Sequence, residues 1–95
     1  MKLQTYLTEA KWKVGDWIKQ ERRDATVYAF VLEILKNGSA KVLHIDTSRP
    51  VPVIASTRFW NPPPEPMKAV EVPEGLFKKL EKKLKKTKYS NMKLR

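Results

Sequence analysis

The chain predicts a mainly β fold with a C-terminal helix, built as a small barrel or a strongly bent antiparallel sheet. Three observations support this. Residues 26–35 (TVYAFVLEIL) and 40–45 (AKVLHI) are rich in β-branched and aromatic side chains, which suit a pleated, half-buried surface. Asn37-Gly38 sits between them, and both central positions of a tight hairpin turn need positive φ, which Asn and Gly tolerate. Residues 73–86 change period: Leu76, Phe77, Leu80 and Leu84 fall within one arc about 100° wide on a helical wheel, with lysines around the remainder.

The elements follow in order. Residues 12–18 (WKVGDWI) read as a short strand entered through a Gly-Asp turn, and residues 20–25 (QERRDA) as a charged loop. A turn at Asn37-Gly38 pairs Ile34 with Lys41, Leu32 with Leu43 and Phe30 with Ile45. One face of the hairpin then carries Phe30, Leu32, Ile34, Leu43 and Ile45, a coherent core face. The other carries Val31, Glu33, Leu35, Ala40, Val42 and His44, a mixed face that needs cover, and the C-terminal helix is expected to supply it. Residues 46–50 (DTSRP) turn the chain into a further strand over residues 51–55 (VPVIA). Pro52 cannot donate to a ladder, so that strand belongs at an edge or a bulge. Arg58-Phe59-Trp60 would continue it, and the prolines of residues 61–66 (NPPPEP) would end it in extended backbone. Pro73 suits the first helical position, and Glu74 the positive end of the helix dipole.

The expected organisation is one domain over residues 1–95. It comprises a β-barrel core at 11–60, a Pro-rich connector at 61–72, a basic amphipathic helix at 73–88 and a flexible tail at 89–95. A hydrophobic fraction of 41% supplies one small core, and the absence of cysteine excludes disulfides and thiolate metal sites. A single histidine leaves few nitrogen ligands, so neither metal nor cofactor is expected. No apolar run approaches the roughly 20 residues that span a bilayer. The first residues, MKLQTYLTEAK, lack the apolar core of a signal peptide, which predicts an intracellular, cytoplasmic protein.

Lys13-Val14-Gly15-Asp16-Trp17-Ile18, followed by the long Val/Ile strand, the Gly turn and Ala40-Lys41-Val42-Leu43, resembles SH3-like small barrels of the KOW, Tudor and retroviral-integrase C-terminal kind. In those barrels a V-G-D-x-hydrophobic entry opens the first strand. The resemblance covers residues 11–60 and implies a fold; an OB-like or open α+β sheet is the alternative.

Charge points to a partner. The last 23 residues carry nine Lys/Arg against Glu74 and Glu81, a formal +7 of the chain's +10. Lys78–Lys82, Lys79–Lys83 and Lys82–Lys86 are like-charge pairs at i,i+4, each costing roughly 0.2–0.5 kcal/mol. Phosphates would relieve that repulsion and release counterions. The plainer alternative is a solvated lysine face that maintains solubility. Candidate phosphate contacts are Lys78, Lys79, Lys82, Lys83, Lys85 and Lys86, with Arg22, Arg23 and Arg58 in support; Arg49 and Lys41 are weaker candidates. Trp60, between Phe59 and the prolines, is the candidate stacking residue, whereas Trp17 is expected in the core and Tyr28 and Phe30 in packing.

His44 would need Ser48 or Ser56 beside it to act in catalysis, and no nucleophile-elbow, paired-carboxylate or Gly-rich phosphate motif accompanies it, so no enzyme activity is expected. The proline run reads as a rigid spacer in preference to a ligand for SH3 or WW domains. The expectation is therefore a non-enzymatic protein that binds DNA or RNA through the backbone with low sequence specificity. Lysine neutralises phosphate as a point charge, while base reading favours arginine. The alternatives are an adaptor or accessory subunit that captures an acidic protein surface, and attachment of the basic helix to anionic membrane.

Overall fold

Gly15 starts the fold. Its φ of 95° lies where side-chain-bearing residues rarely go, at the third position of a turn closed by the Asp16 amide donating to the Lys13 carbonyl (3.0 Å). The Asp16 carboxylate accepts from the Lys13 amide (2.8 Å), locking the turn from the side-chain direction. The chain leaves it as a strand.

The computed structural model describes residues 13–36, 39–57 and 65–94. Strands β1 (Trp17–Glu21), β2 (Thr26–Ile34), β3 (Ala40–Asp46), β4 (Arg49–Thr57) and β5 (Glu65–Met67) form one sheet in the order β4-β3-β2-β1-β5, antiparallel throughout. A short 3-10 turn (Ala69–Glu71) leads into helix α1 (Glu74–Leu84). The mainly β fold with a C-terminal helix is as expected, in its bent-sheet form. The sheet is not closed into a barrel: β4 and β5 are its two edges. Three prolines lie on those edge strands, Pro50 and Pro52 on β4 and Pro66 on β5, where a missing N–H costs least and blunts pairing with other chains.

The hairpin register differs from the expected one. Phe30 pairs with Leu43 and Tyr28 with Ile45, and a bulge between Val31 and Glu33 shifts the pairing to Glu33–Lys41 and Ile34–Ala40. The bulge sits where Val31 turns its amide to the Asp16 carbonyl (3.0 Å) and accepts from the Gly15 amide (2.8 Å). An extra residue in one strand flips the faces beyond it. Hence Phe30, Leu32, Leu43 and Ile45 share a buried face as expected, while Ile34 is 39% exposed and Glu33 turns toward the helix side.

Helix α1 covers the Phe30–Leu43 face, not the mixed face expected to receive it. Phe77, Leu80 and Leu84 are buried with Trp17, Phe30, Leu32, Leu43, Ile45, Val72 and Leu94, and Leu76 packs at the margin. The bulky face has more apolar area to hide, so the helix gains most there. Ile18, Ala29, Val31, Ala40 and Val42, mostly smaller side chains, form a separate buried cluster on the other face. The Trp17 ring stands 5.1 Å from Phe30 and 6.0 Å from Phe77, centroid to centroid, in tilted contacts.

Two further expectations are corrected. Residues 65–67, assigned to the connector, pair with β1, with Trp17 opposite Met67. The segment after the helix, expected as a flexible tail, packs: Trp17 Nε1 donates to the Leu94 carbonyl (2.7 Å) in a buried bond, and Met92 and Tyr89 lie against the core. The helix ends at Leu84, four residues before the expected limit, because the Thr87 hydroxyl and amide both turn back to the Leu84 carbonyl (2.8 and 3.0 Å). Short-range turns then carry the chain to Met92, whose amide reaches the Tyr89 carbonyl (2.9 Å). The expected turn at Asn37-Gly38, the continuation through Arg58-Phe59-Trp60 and prolines 62–64 lie outside the described residues.

Leu80→Ala is expected to lower the unfolding free energy by about 2–5 kcal/mol through the cavity it leaves. Trp17→Phe, which keeps an aromatic ring but removes the donor to the Leu94 carbonyl and part of the buried indole, should cost at least about 1–3 kcal/mol. Urea denaturation with an unchanged slope measures both; a Trp17→Phe midpoint equal to wild type would remove the closing bond from the account.

Candidate functional site

The docked helix decides where the lysines go. With Phe77, Leu80 and Leu84 buried, Lys78, Lys82, Lys85 and Lys86 are exposed on the outer surface of α1 and the turn after it. A helix rises 1.5 Å per residue, so Lys78, Lys82 and Lys86 form a row about 12 Å long. Among the described residues, neither a hydrogen bond nor an ion pair engages these four ammonium groups. The other two candidates are placed differently. Lys79 Nζ donates to the Pro50 carbonyl (3.3 Å) at the start of β4, and Lys83 is half-buried at the same margin of the helix. Six lysines of the sequence pattern thus become four outward cations and two that lean on the protein.

Local energetics explain part of the row. Lys82, Lys83, Lys85 and Lys86 sit in or just after the last turn, where the negative end of the helix dipole favours cations by about 0.3–1 kcal/mol each at low salt. Lys78 and Lys79 lie too far from that end to benefit. Burying Phe77, Leu80 and Leu84 contributes roughly 1.5–3 kcal/mol each, which exceeds the summed repulsion among the lysines. The helix therefore tolerates its charge because it is docked.

Arg22 and Arg23 are exposed in the tight connection between β1 and β2 that the Arg22 amide closes onto the Ala25 carbonyl (2.7 Å). That connection is tied to the β3–β4 turn: the Thr26 amide donates to Thr47 Oγ1 (2.9 Å) and the Thr47 amide to the Thr26 carbonyl (3.0 Å). Arg49 is exposed beside the same turn. Arg58 and Trp60 lie outside the described residues, as does Trp12. Trp17 is in the core, and Tyr28 and Phe30 pack as expected.

Sequence reasoning ranks Lys41 as a weaker candidate and misses Lys88 and the group that the two form. Tyr89 returns to the sheet and donates its hydroxyl to Glu33 Oε1 (2.7 Å), while Lys41 Nζ lies 5.8 Å and Lys88 Nζ 5.4 Å from its ring centroid. The hydrogen bond to Glu33, with burial second, pushes the Tyr89 phenol above its usual range. No local pattern joins Glu33, Lys41 and Tyr89; the sheet register and the folded C-terminal segment bring them together.

His44 does not meet either candidate nucleophile. The Ser48 hydroxyl and amide both donate to Asp46 Oδ1 (2.8 Å each), which together hold the Asp46 carboxyl below its usual range. Ser56 pairs with Lys41 and so lies on the face opposite His44, which pairs with Val53. Among the described residues no cluster of three or more His, Asp or Glu could hold a metal, and no helix is long and apolar enough to cross a membrane. A cleft of about 190 Å³ between α1 and the C-terminal segment, floored by Phe77, Leu84, Met92 and Leu94, is smaller than most small-molecule sites.

Compared with protein-family models, curated proteins and solved structures, the chain finds no match in any of the three.

His44 supplies a pH test of the local geometry. Burial lowers its pKa from the ordinary 6.5, Asp46 partly opposes this, and Arg22 adds to it. The folded state thus favours neutral imidazole, and the resulting stability is present above pH 6.5 and lost as pH falls toward the depressed folded value. Thermal melts between pH 7.5 and 5 should show a falling midpoint in wild type and a flatter profile in His44→Gln. Identical profiles would contradict the burial argument.

Proposed function

We propose that the protein binds nucleic acid through phosphate contacts from the outer face of α1, with low sequence specificity. The observation that carries this reading is the row of outward ammonium groups on a helix whose apolar face is spent on the sheet. Lys78, Lys82, Lys85 and Lys86 make the principal contacts; Lys79 and Lys83 stand at the margin, and Arg22, Arg23 and Arg58 support binding from outside the helix. Such point charges neutralise a backbone without reading bases. Trp60 remains the proposed stacking residue, and the Val14-Gly15-Asp16 entry, followed by the β1–β4 meander, supports a resemblance to SH3-like small barrels at the level of strand order, with the sheet left open. The protein is proposed to work without enzymatic activity or cofactor, inside the cell.

A docked helix answers the solubility alternative in part. Lysines kept for solubility alone would gain from interspersed acids, which relieve repulsion at no loss of hydration. The second reading, capture of an acidic protein surface, is favoured by Val51 and Val53, 59% and 44% exposed on edge strand β4. A pull-down with and without nuclease separates the two, since a partner that survives nuclease supports the adaptor.

Salt titration tests the proposal. Neutralising about five or six phosphates should make log K fall with log salt at a slope of roughly −4.5 to −5.5 on a duplex. Replacing Lys78, Lys82, Lys85 and Lys86 together with Gln should reduce that slope by roughly 3 to 4. A flat salt response in wild type, or an unchanged slope in the variant, would end this reading.

A further inference from the structure

Lys41 and Lys88 come from distant parts of the chain, one on β3 and the other four residues past the end of α1, yet both hold their ammonium groups against one ring. The two distances to the Tyr89 centroid, 5.8 and 5.4 Å, keep them no more than about 11 Å apart. The arrangement has three causes in the fold. The β2 bulge sets Glu33 opposite Lys41 on the helix-side face. The Tyr89 hydroxyl then takes the Glu33 carboxylate as its acceptor at 2.7 Å. Glu33 and Lys41 are cross-strand neighbours, but among the described residues no ion pair joins them: the carboxylate accepts from the phenol, and the Lys41 ammonium lies over the ring. Around Tyr89 stand one carboxylate and two ammonium groups, a local excess of one positive charge.

We propose that Lys41 and Lys88, held about Tyr89, form a second phosphate-binding point. It would carry the nucleic-acid backbone from the outer face of α1, round the helix C-terminus, and onto the β2–β3 hairpin. Tyr89 is a positioning residue in this scheme: it occupies Glu33 and keeps Lys41 available. This inference rests on the reading of α1 as a phosphate-contacting surface and extends it by a strand cation and one beyond the helix. It adds the hairpin end of the sheet to the surface that the bound backbone would touch.

The test uses the full chain with a 20-base-pair duplex and a 20-nucleotide single strand, titrated in salt. Each lost phosphate contact lowers the slope by roughly 0.9 on duplex and 0.7 on single strand. Lys41→Gln/Lys88→Gln should therefore lose roughly 1.8 on duplex, and Lys41→Arg/Lys88→Arg should keep the wild-type slope. Tyr89→Phe, which frees Glu33 to draw Lys41 into an ion pair, should lose roughly 0.9 on duplex. Lys13→Gln/Lys68→Gln, the same change in net charge at two other exposed lysines, should lose much less. A wild-type slope in Lys41→Gln/Lys88→Gln, with the helix quadruple variant still impaired, overturns this inference and leaves the helix reading standing. An equal loss in the Lys13/Lys68 control also overturns it, because diffuse charge would then suffice. Insensitivity of the wild-type protein to salt removes both.

Discussion

The seating of Phe77, Leu80 and Leu84 on Trp17, Phe30, Leu43 and Ile45 is the constraint on which the rest depends. An eleven-residue helix is too short to persist alone in water, and its lysines repel one another. Held on the sheet it becomes a rigid support, and its charge acquires a fixed direction. Trp17 ties the arrangement together. Its ring packs against Phe30 and Phe77, and its indole N–H donates to the Leu94 carbonyl, which holds the segment after the helix. One side chain thus joins the first strand, the helix and the last described turn into a single core.

The parts of this fold that were legible in the sequence are those decided by neighbours along the chain. The β-branched runs gave β2 and β3, the spacing of Phe77, Leu80 and Leu84 gave the buried side of the helix, and Pro52 gave the edge position of β4. What escaped depends on contacts between distant residues. The bulge at Val31–Glu33 arises from the Gly15-Asp16 turn docking on β2, and it turns Ile34 outward where simple alternation puts it inside. Strand β5 is three residues long, contains a proline and exists because β1 offers a free edge. The closing segment looked like a polar tail because its anchors are sparse: Tyr89, Met92 and Leu94 stand among Lys, Ser and Asn.

The candidate site divides in the same way. The lysine pattern was plain, but which of its members face outward was not. The wheel places Lys79 and Lys83 beside the apolar arc, and only the position of β4 shows that Lys79 spends its ammonium on the Pro50 carbonyl. The convergence of Lys41 and Lys88 on Tyr89 was invisible for a stronger reason. Lys41 and Lys88 are 47 positions apart, and their convergence needs the β2–β3 register and the C-terminal turns together. Each end of the sheet mixes signs: Arg22, Arg23 and Arg49 share one end with the carboxylate of Asp46, and Lys41 and Lys88 share the other with that of Glu33.

The central claim is that these lysines project from a docked helix and not from a mobile segment. Native-state hydrogen exchange measures this most directly. The account predicts that the amides of Leu80, Glu81 and Leu84 open only with the whole molecule, at the same free energy as those of Phe30 and Leu43. Exchange of the helix amides near the rate of unstructured chain, while the sheet stays protected, would contradict it.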